Sequence, residues 1–238
     1  MREVNGTMKY QIEKAVADIG VKVVFGSVEG VDNTGRNPEW EAERKVRLEN
    51  LQKRFDGLDI HGDEVFEGYH ILHDKSGVKR RKNIPSSENL IKMLLKHGDM
   101  PFINQVVDIY NVISMESRLC VAAHNLDKVD GNLTVRFSDG TEKYIPLGQK
   151  QPVPMNPHEY CYCDDSNEVL CRLEIRQVNK TKVDENVRDI LYIIEGNEAT
   201  DEDFLLEVMQ EIIDTTMKYC GGDGKVFCPD ILSSIKER

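Results

Sequence analysis

The sequence predicts an α+β protein, and three observations carry that expectation. Apolar residues recur at helical spacing up to about Ile113, the rhythm shifts to period two from about 119 to 194, and helical spacing returns after Thr200. With 238 residues, 39% of them hydrophobic, the chain can bury one large core or two small ones. No stretch nears the roughly 20 apolar residues that cross a bilayer. Lys9, Lys14 and Lys22, with acids between them, break any signal-peptide pattern, so the expected location is the cytoplasm.

Met8–Ile19 reads as a helix ended by Gly20, and Val21–Val28 as a Val-rich strand. Asn37-Pro38 reads as an N-cap with proline at the first helical position, opening a charged helix with Trp40, Leu48, Leu51 and Phe55 inward. Residues 56–85 show no regular pattern. Ser86 or Ser87 caps a helix with Leu90, Ile91, Leu94 and Leu95 inward, closed by Gly98. Pro101 opens another through Phe102, Ile103, Val106, Val107, Tyr110 and Ile113. Leu133–Phe137 and Lys143–Leu147 flank Ser138-Asp139-Gly140-Thr141 and read as a hairpin. Strands follow at Glu159–Cys163, Val169–Ile175 and Ile190–Ile194. In the last helix Thr200 and Asp203 approach a capping box, and Phe204, Leu205, Val208, Met209, Ile212 and Ile213 form one stripe.

The net charge of −11 is unevenly placed. Residues 1–100 hold 17 basic and 17 acidic side chains, so the whole excess lies in 101–238. That distribution argues against tight, sequence-independent binding to DNA or RNA but leaves weak contact through the neutral half open. The six cysteines are expected to be reduced and structural. Alternation puts Cys161 and Cys163 on one strand face, and their C-x-C spacing with a lone Cys171 is a poor zinc pattern. Cys220 and Cys228 flank a glycine-rich stretch that is either a redox pair or a plain loop. Dinucleotide, NTP and common hydrolase motifs are absent. No metal and no cofactor is expected.

The densest polar group is Asn104, Asp108 and Asn111, spaced i, i+4, i+7 and so expected on one helical face. Such a row either binds the backbone of a neighbouring loop or forms a wall for a small polar substrate. The basic run Lys79-Arg80-Arg81-Lys82 is either a solvated loop or a phosphate contact, and Arg172 either pairs with a carboxylate or contacts RNA.

An ordered series of segments then resembles the B3/B4 domain found in the β subunit of bacterial phenylalanine–tRNA ligases and in free-standing proteins. The series is Ile103–Ser114, Ala122–Lys128, Leu133–Phe137 and Tyr144–Gly148, with related character in Glu159–Asp165, Val169–Arg172 and Thr181–Gly196. The resemblance covers roughly 83–196 and implies a mixed β-sheet core with flanking helices. The expected organisation is an N-terminal α/β portion over 1–82 packed on the core, the B3/B4-like domain over 83–198, and a C-terminal helix and tail over 199–238.

In the synthetases the domain hydrolyses tyrosine wrongly esterified to the phenylalanine tRNA. The resemblance therefore implies binding of a tRNA acceptor end, or a related aminoacyl ester, and hydrolysis in trans. Nothing resembles the ATP-binding synthetase motifs, so ligase activity is not expected. Alignment on Leu126-Asp127-Lys128 places Ala122 at the family's histidine, with His124 two residues on. Gly148 matches a pocket glycine, and Glu168 best matches the family's acidic pocket residue. On this reading Asp165, Glu168 or Glu195 holds a substrate ammonium, and His124 orients water, with Glu168 as the second catalytic candidate. An aminoacyl ester is already activated, so no strong base is compulsory. The competing classes are a non-catalytic tRNA- or amino-acid-binding module and an interaction protein using the stripe of the last helix. The oligomeric state is not legible.

Overall fold

The N-terminal segment departs from the helix that its spacing predicts. In the computed structural model, which describes residues 8–233, β1 (Tyr10–Glu13) is an extended strand and only α1 (Lys14–Asp18) is helical. Tyr10 stacks on Phe25 with ring centroids 4.9 Å apart, and β1 runs parallel to two other strands; this nonlocal pairing outweighs the local helical spacing. The Val-rich segment forms β2 (Lys22–Glu29) as expected.

The Asn37-Pro38 signal opens α2 (Pro38–Phe55): the Asn37 side chain accepts from the backbone N–H groups of Glu39 and Trp40. Trp40, Leu48, Leu51 and Phe55 are all buried. Residues 56–85, which lack a clear pattern, contain α3 (Glu64–Lys75), capped by Asp63, and two short 3₁₀ turns. α3 is buried over much of its surface, so it shows no clean polar face. α4 (Ser86–His97) ends at left-handed Gly98, but Pro85 occupies its cap position, and Ser87 instead donates to the Arg118 carbonyl. Leu95 is more exposed than its spacing suggests. α5 (Gln105–Ser117) starts four residues later than Pro101, because Asn104 takes the cap by accepting from Val107 N–H.

Two sheets follow. β3 (Cys120–Asn125) belongs to one; β4 (Leu133–Phe137), β5 (Tyr160–Asp164), β6 (Val169–Arg172) and β7 (Arg176–Gln177) belong to the other; and β8 (Ile190–Gly196) returns to the first. α6 (Glu202–Cys220) is capped by Asp201 rather than Thr200. β9 (Asp223–Phe227) and β10 (Asp230–Leu232) then extend the two sheets, so the glycine-rich stretch after Cys220 leads into a strand. The strand orders are β10-β1-β4-β5-β6-β7, mixed, and β3-β8-β2-β9, antiparallel. This is an α+β architecture.

The hairpin expected between 133–137 and 143–147 does not form. β4 pairs with β1 and β5, and the 143–147 segment makes only single bridges, Lys143 to Glu168 and Pro146 to Val178. The turn between them is stabilised by the buried Glu142 carboxylate, which accepts from the backbone of Asp139 and Gly140 and pairs with Arg136. α6 lays its apolar stripe on β2. A Cβ at Gly26 would meet Met209 Sδ at 2.5 Å, so glycine is what permits this approach. The stripe is therefore core and not a face for a partner. One hydrophobic cluster runs from Tyr10 to Cys220. Cys161 and Cys163 do share a face, their sulfurs 3.5 Å apart, and all six cysteines are free thiols.

Candidate functional site

A cleft opens where α4 and α5 face β3, β7 and the 182–186 loop. Its two lobes, about 410 and 380 Å³, share Tyr110, Leu147 and Gln177. The rim is set by the segment that failed to pair with β4: Leu147 N–H donates to the Gln177 carbonyl, and Arg176 donates to the Leu147 carbonyl at 3.1 Å. Asn104 lines the first lobe from the cap of α5, where its amide also donates to the Val183 carbonyl. Asn111 and Asn89 line the second, with Ala122 and Glu174.

Ala122 and Glu174 also line a small cavity, about 20 Å³, that ends at Tyr162 and Glu195. Here a chain of polar groups crosses the core. His73 Nε2 lies 2.5 Å from Glu174 Oε1, Tyr160 Oη lies 2.7 Å from Glu174 Oε2 and 2.6 Å from Glu195 Oε1, and Tyr162 donates to Glu195 Oε2. A hydroxyl carries one proton, so Tyr160 donates to only one of its two carboxyl neighbours. The other contact requires a carboxyl proton. Burial first, and the neighbouring Glu174 second, push Glu195 well above the ordinary glutamate range, which makes it the protonated partner. The chain then reads Glu195 to Tyr160 to Glu174, leaving Glu174 as the acceptor at the cleft floor.

Asp108 is separated from its two expected companions. Its carboxylate accepts from Trp40 Nε1 at 2.8 Å and from Arg44 Nε at 2.9 Å, fastening α2 to α5. His124 is fully buried; its Nδ1 lies 2.8 Å from Thr181 Oγ1, and burial pushes the imidazole down to about 3, so it is neutral. It lines neither lobe, and a water-orienting role for it has no geometric support. Glu168 sits at another cavity, ion-paired with Lys143 and Lys180, away from the cleft. Exposed Asp165 accepts from the backbone and side chain of Asn132 in a turn. Gly148 has φ +86° and donates to Asn179 Oδ1 beside the rim, while its neighbour Leu147 faces the cleft. Arg172 is held bidentately by Glu159 at 2.6 and 2.7 Å.

The basic run forms a 3₁₀ turn just before the cleft residue Ile84. Arg80 pairs with Glu67 and Asp74, whereas Lys79, Arg81 and Lys82 are exposed. Sequence reasoning missed Glu174, Tyr110 and Gln177. Glu174 falls in a stretch read as one strand, but Leu173 has φ +50° and breaks it into β6 and β7. A non-glycine residue there gives no sequence signal for a turn.

The B3/4 domain family model matches residues 73–221, 149 of the 238 residues. The chain belongs to the B3/4 domain family. Among solved structures, an N-terminal fragment of the phenylalanyl-tRNA synthetase β-subunit from Pyrococcus horikoshii is similar to this B3/4 protein in fold. The TM-score is 0.52 at 11% identity, with 97% of this chain and 53% of that chain covered. The B3/4 protein thus spans about half the length of that fragment. No curated protein matches its sequence. Among the described residues no helix is long and apolar enough to cross a membrane.

Proposed function

We infer that the B3/4 protein binds the acceptor end of a tRNA, or a related aminoacyl ester, in the two-lobed cleft and hydrolyses the ester in trans. One observation carries this reading: the cleft has room for a sugar in one lobe and an amino acid in the other, and its floor ends at a buried acid pair beside Ala122. The fold shared with a tRNA synthetase fragment supports the substrate class. The exposed cations Lys79, Arg81 and Lys82, next to the mouth, suit phosphate contacts.

The residues divide the work as follows. The Asn104 and Asn111 side chains orient the ester, and the Glu174 carboxylate accepts from the substrate ammonium or from the attacking water. Protonated Glu195 holds the Tyr160 hydroxyl in place behind it. Water adds to the ester carbonyl, the ester C–O bond breaks, and the products are a free amino acid and a 3′-terminal hydroxyl. Positioning and exclusion of bulk water supply most of the acceleration, since the ester is already activated. Deacylation assays on a panel of mischarged tRNAs test this; no loss of ester above the uncatalysed rate for any pair sinks the hydrolase reading.

A second reading, a tRNA- or amino-acid-binding module without turnover, is favoured by one observation. His124 and Glu168, the two acid–base candidates from the sequence, both lie outside the cleft. Saturable binding of uncharged tRNA together with an inert ester identifies it.

A further inference from the structure

On the far side of α4 from the cleft, three side chains from three elements converge. His61 comes from the 3₁₀ turn Ile60–Gly62, His70 from α3 and Glu88 from the first turn of α4. One ligand atom of each lies within 4.8 Å of the others. His61 Nδ1 is 3.1 Å from Glu88 Oε1, and His70 Nε2 is 3.2 Å from Glu88 Oε2. Ligands at about 2.0–2.1 Å from a tetrahedral zinc ion stand roughly 3.3 Å apart, so both spacings need only small adjustment.

The protein leaves this carboxylate half-answered. Glu88 is 0% exposed, and among the described residues its Oε2 is faced only by the His70 ring nitrogen at 3.2 Å, although a buried carboxylate normally has every oxygen well compensated. Its other oxygen holds the Lys92 ammonium at 2.6 Å, one turn along α4, and the same ammonium reaches to 3.4 Å from His61 Nε2. A cation therefore already sits in the cluster, on a flexible and partly exposed stem that can swing into water.

We propose that His61, His70 and Glu88 form a binding site for a first-row divalent cation of the zinc type, which displaces Lys92 from Glu88. Two imidazoles and one carboxylate suit zinc and its neighbours rather than calcium or magnesium, which take oxygen ligands. The fourth position faces solvent beside exposed His61. The bound ion ties the 3₁₀ turn and α3 to the first turn of α4, whose opposite side carries the cleft residues Ser86 and Asn89. The set is invisible in the sequence because its members come from three separate elements, the 3₁₀ turn, α3 and α4, and meet only in the fold. This inference does not depend on the hydrolase reading.

The test uses the full chain with Cys228→Ser, which removes the exposed thiol as a competing ligand. Calorimetric titration with Zn²⁺ is expected to show one saturable site, and Co²⁺ to give the visible absorption of a four-coordinate complex. His61→Ala, on the surface, weakens binding at least about tenfold. Lys92→Ala tightens it, because the resident competitor is gone. Glu88→Gln abolishes it. Absence of a saturable site, or equal Zn²⁺ affinity in His61→Ala and its parent, overturns the proposal. The two surface variants keep the test decisive even where Glu88→Gln fails to fold.

Discussion

Two buried acidic clusters lie on different sides of α5, and they are solved differently. Asp108 meets a permanent cation: Arg44 and the Trp40 N–H saturate it, and Arg44 also reaches Asp99 and the Met100 carbonyl. Glu174 and Glu195 are hydrogen-bonded by tyrosine hydroxyls and one imidazole, and they border a small cavity. The first arrangement is a closed fastening between helices. The second carries a proton that can be lost, and its Glu174 lines both the cleft and the small cavity behind it. A buried carboxylate is therefore a candidate for function here only where a cavity adjoins it.

The largest effect is expected from opening the closed cluster. Asp108→Ala leaves the Arg44 guanidinium buried without its main partner and costs about 3 kcal/mol, read as a lower urea midpoint at unchanged slope. An effect below about 1 kcal/mol breaks the contrast between the two clusters.

Next comes the proton on Glu195. Its pKa is raised in the folded state, so the stability it contributes is whole below the ordinary glutamate value of 4.5 and is lost as pH rises toward the folded value. Glu195→Gln cannot ionise. The variant is expected to gain stability relative to the parent as pH rises above the ordinary glutamate value, and parallel stability curves contradict the shared-proton assignment.

Asn111→Ala, at the cleft wall, is expected to weaken ester binding or turnover about tenfold, near 1.4 kcal/mol, while leaving the urea midpoint almost unchanged. Equal losses of activity and stability place Asn111 with the fastening instead. Smaller still is the joint replacement of Lys79, Arg81 and Lys82 by Ala. It is expected to flatten the salt dependence of tRNA binding by about 0.7 in log–log slope for each phosphate contact removed. Arg80→Ala, removing a side chain already paired with Glu67 and Asp74, should change that slope less. The smallest expected effect is none: by NMR the His124 ring should not titrate between pH 5 and 8, because its folded value lies near 3. A midpoint near neutrality returns His124 to the list of acid–base groups.

Periodicity and capping chemistry are properties of adjacent residues, and they made α2, α4, α5, α6 and several strands legible from the chain alone. The buried row Trp40, Leu48, Leu51, Phe55 and the paired thiols of Cys161 and Cys163 fall where spacing puts them. The ordered B3/B4 motifs likewise pointed to the family that the chain belongs to. Partner choice is different. β1 is a strand because β4 and β10 flank it, and Lys143–Leu147 is a cleft rim because β5 takes the place beside β4 that the segment was expected to fill. The site follows the same rule. Asn104, Asp108 and Asn111 share a local spacing, yet Asp108 is claimed by Arg44 from 64 residues away, while Glu174 reaches the cleft floor through a turn at Leu173 that no glycine announces. Amino-acid order determined which segments are helical or extended and which face is apolar, since those depend on neighbours along the chain. The tertiary structure alone decided which acids are neutralised and which remain available, since that depends on charges and cavities brought together from distant positions.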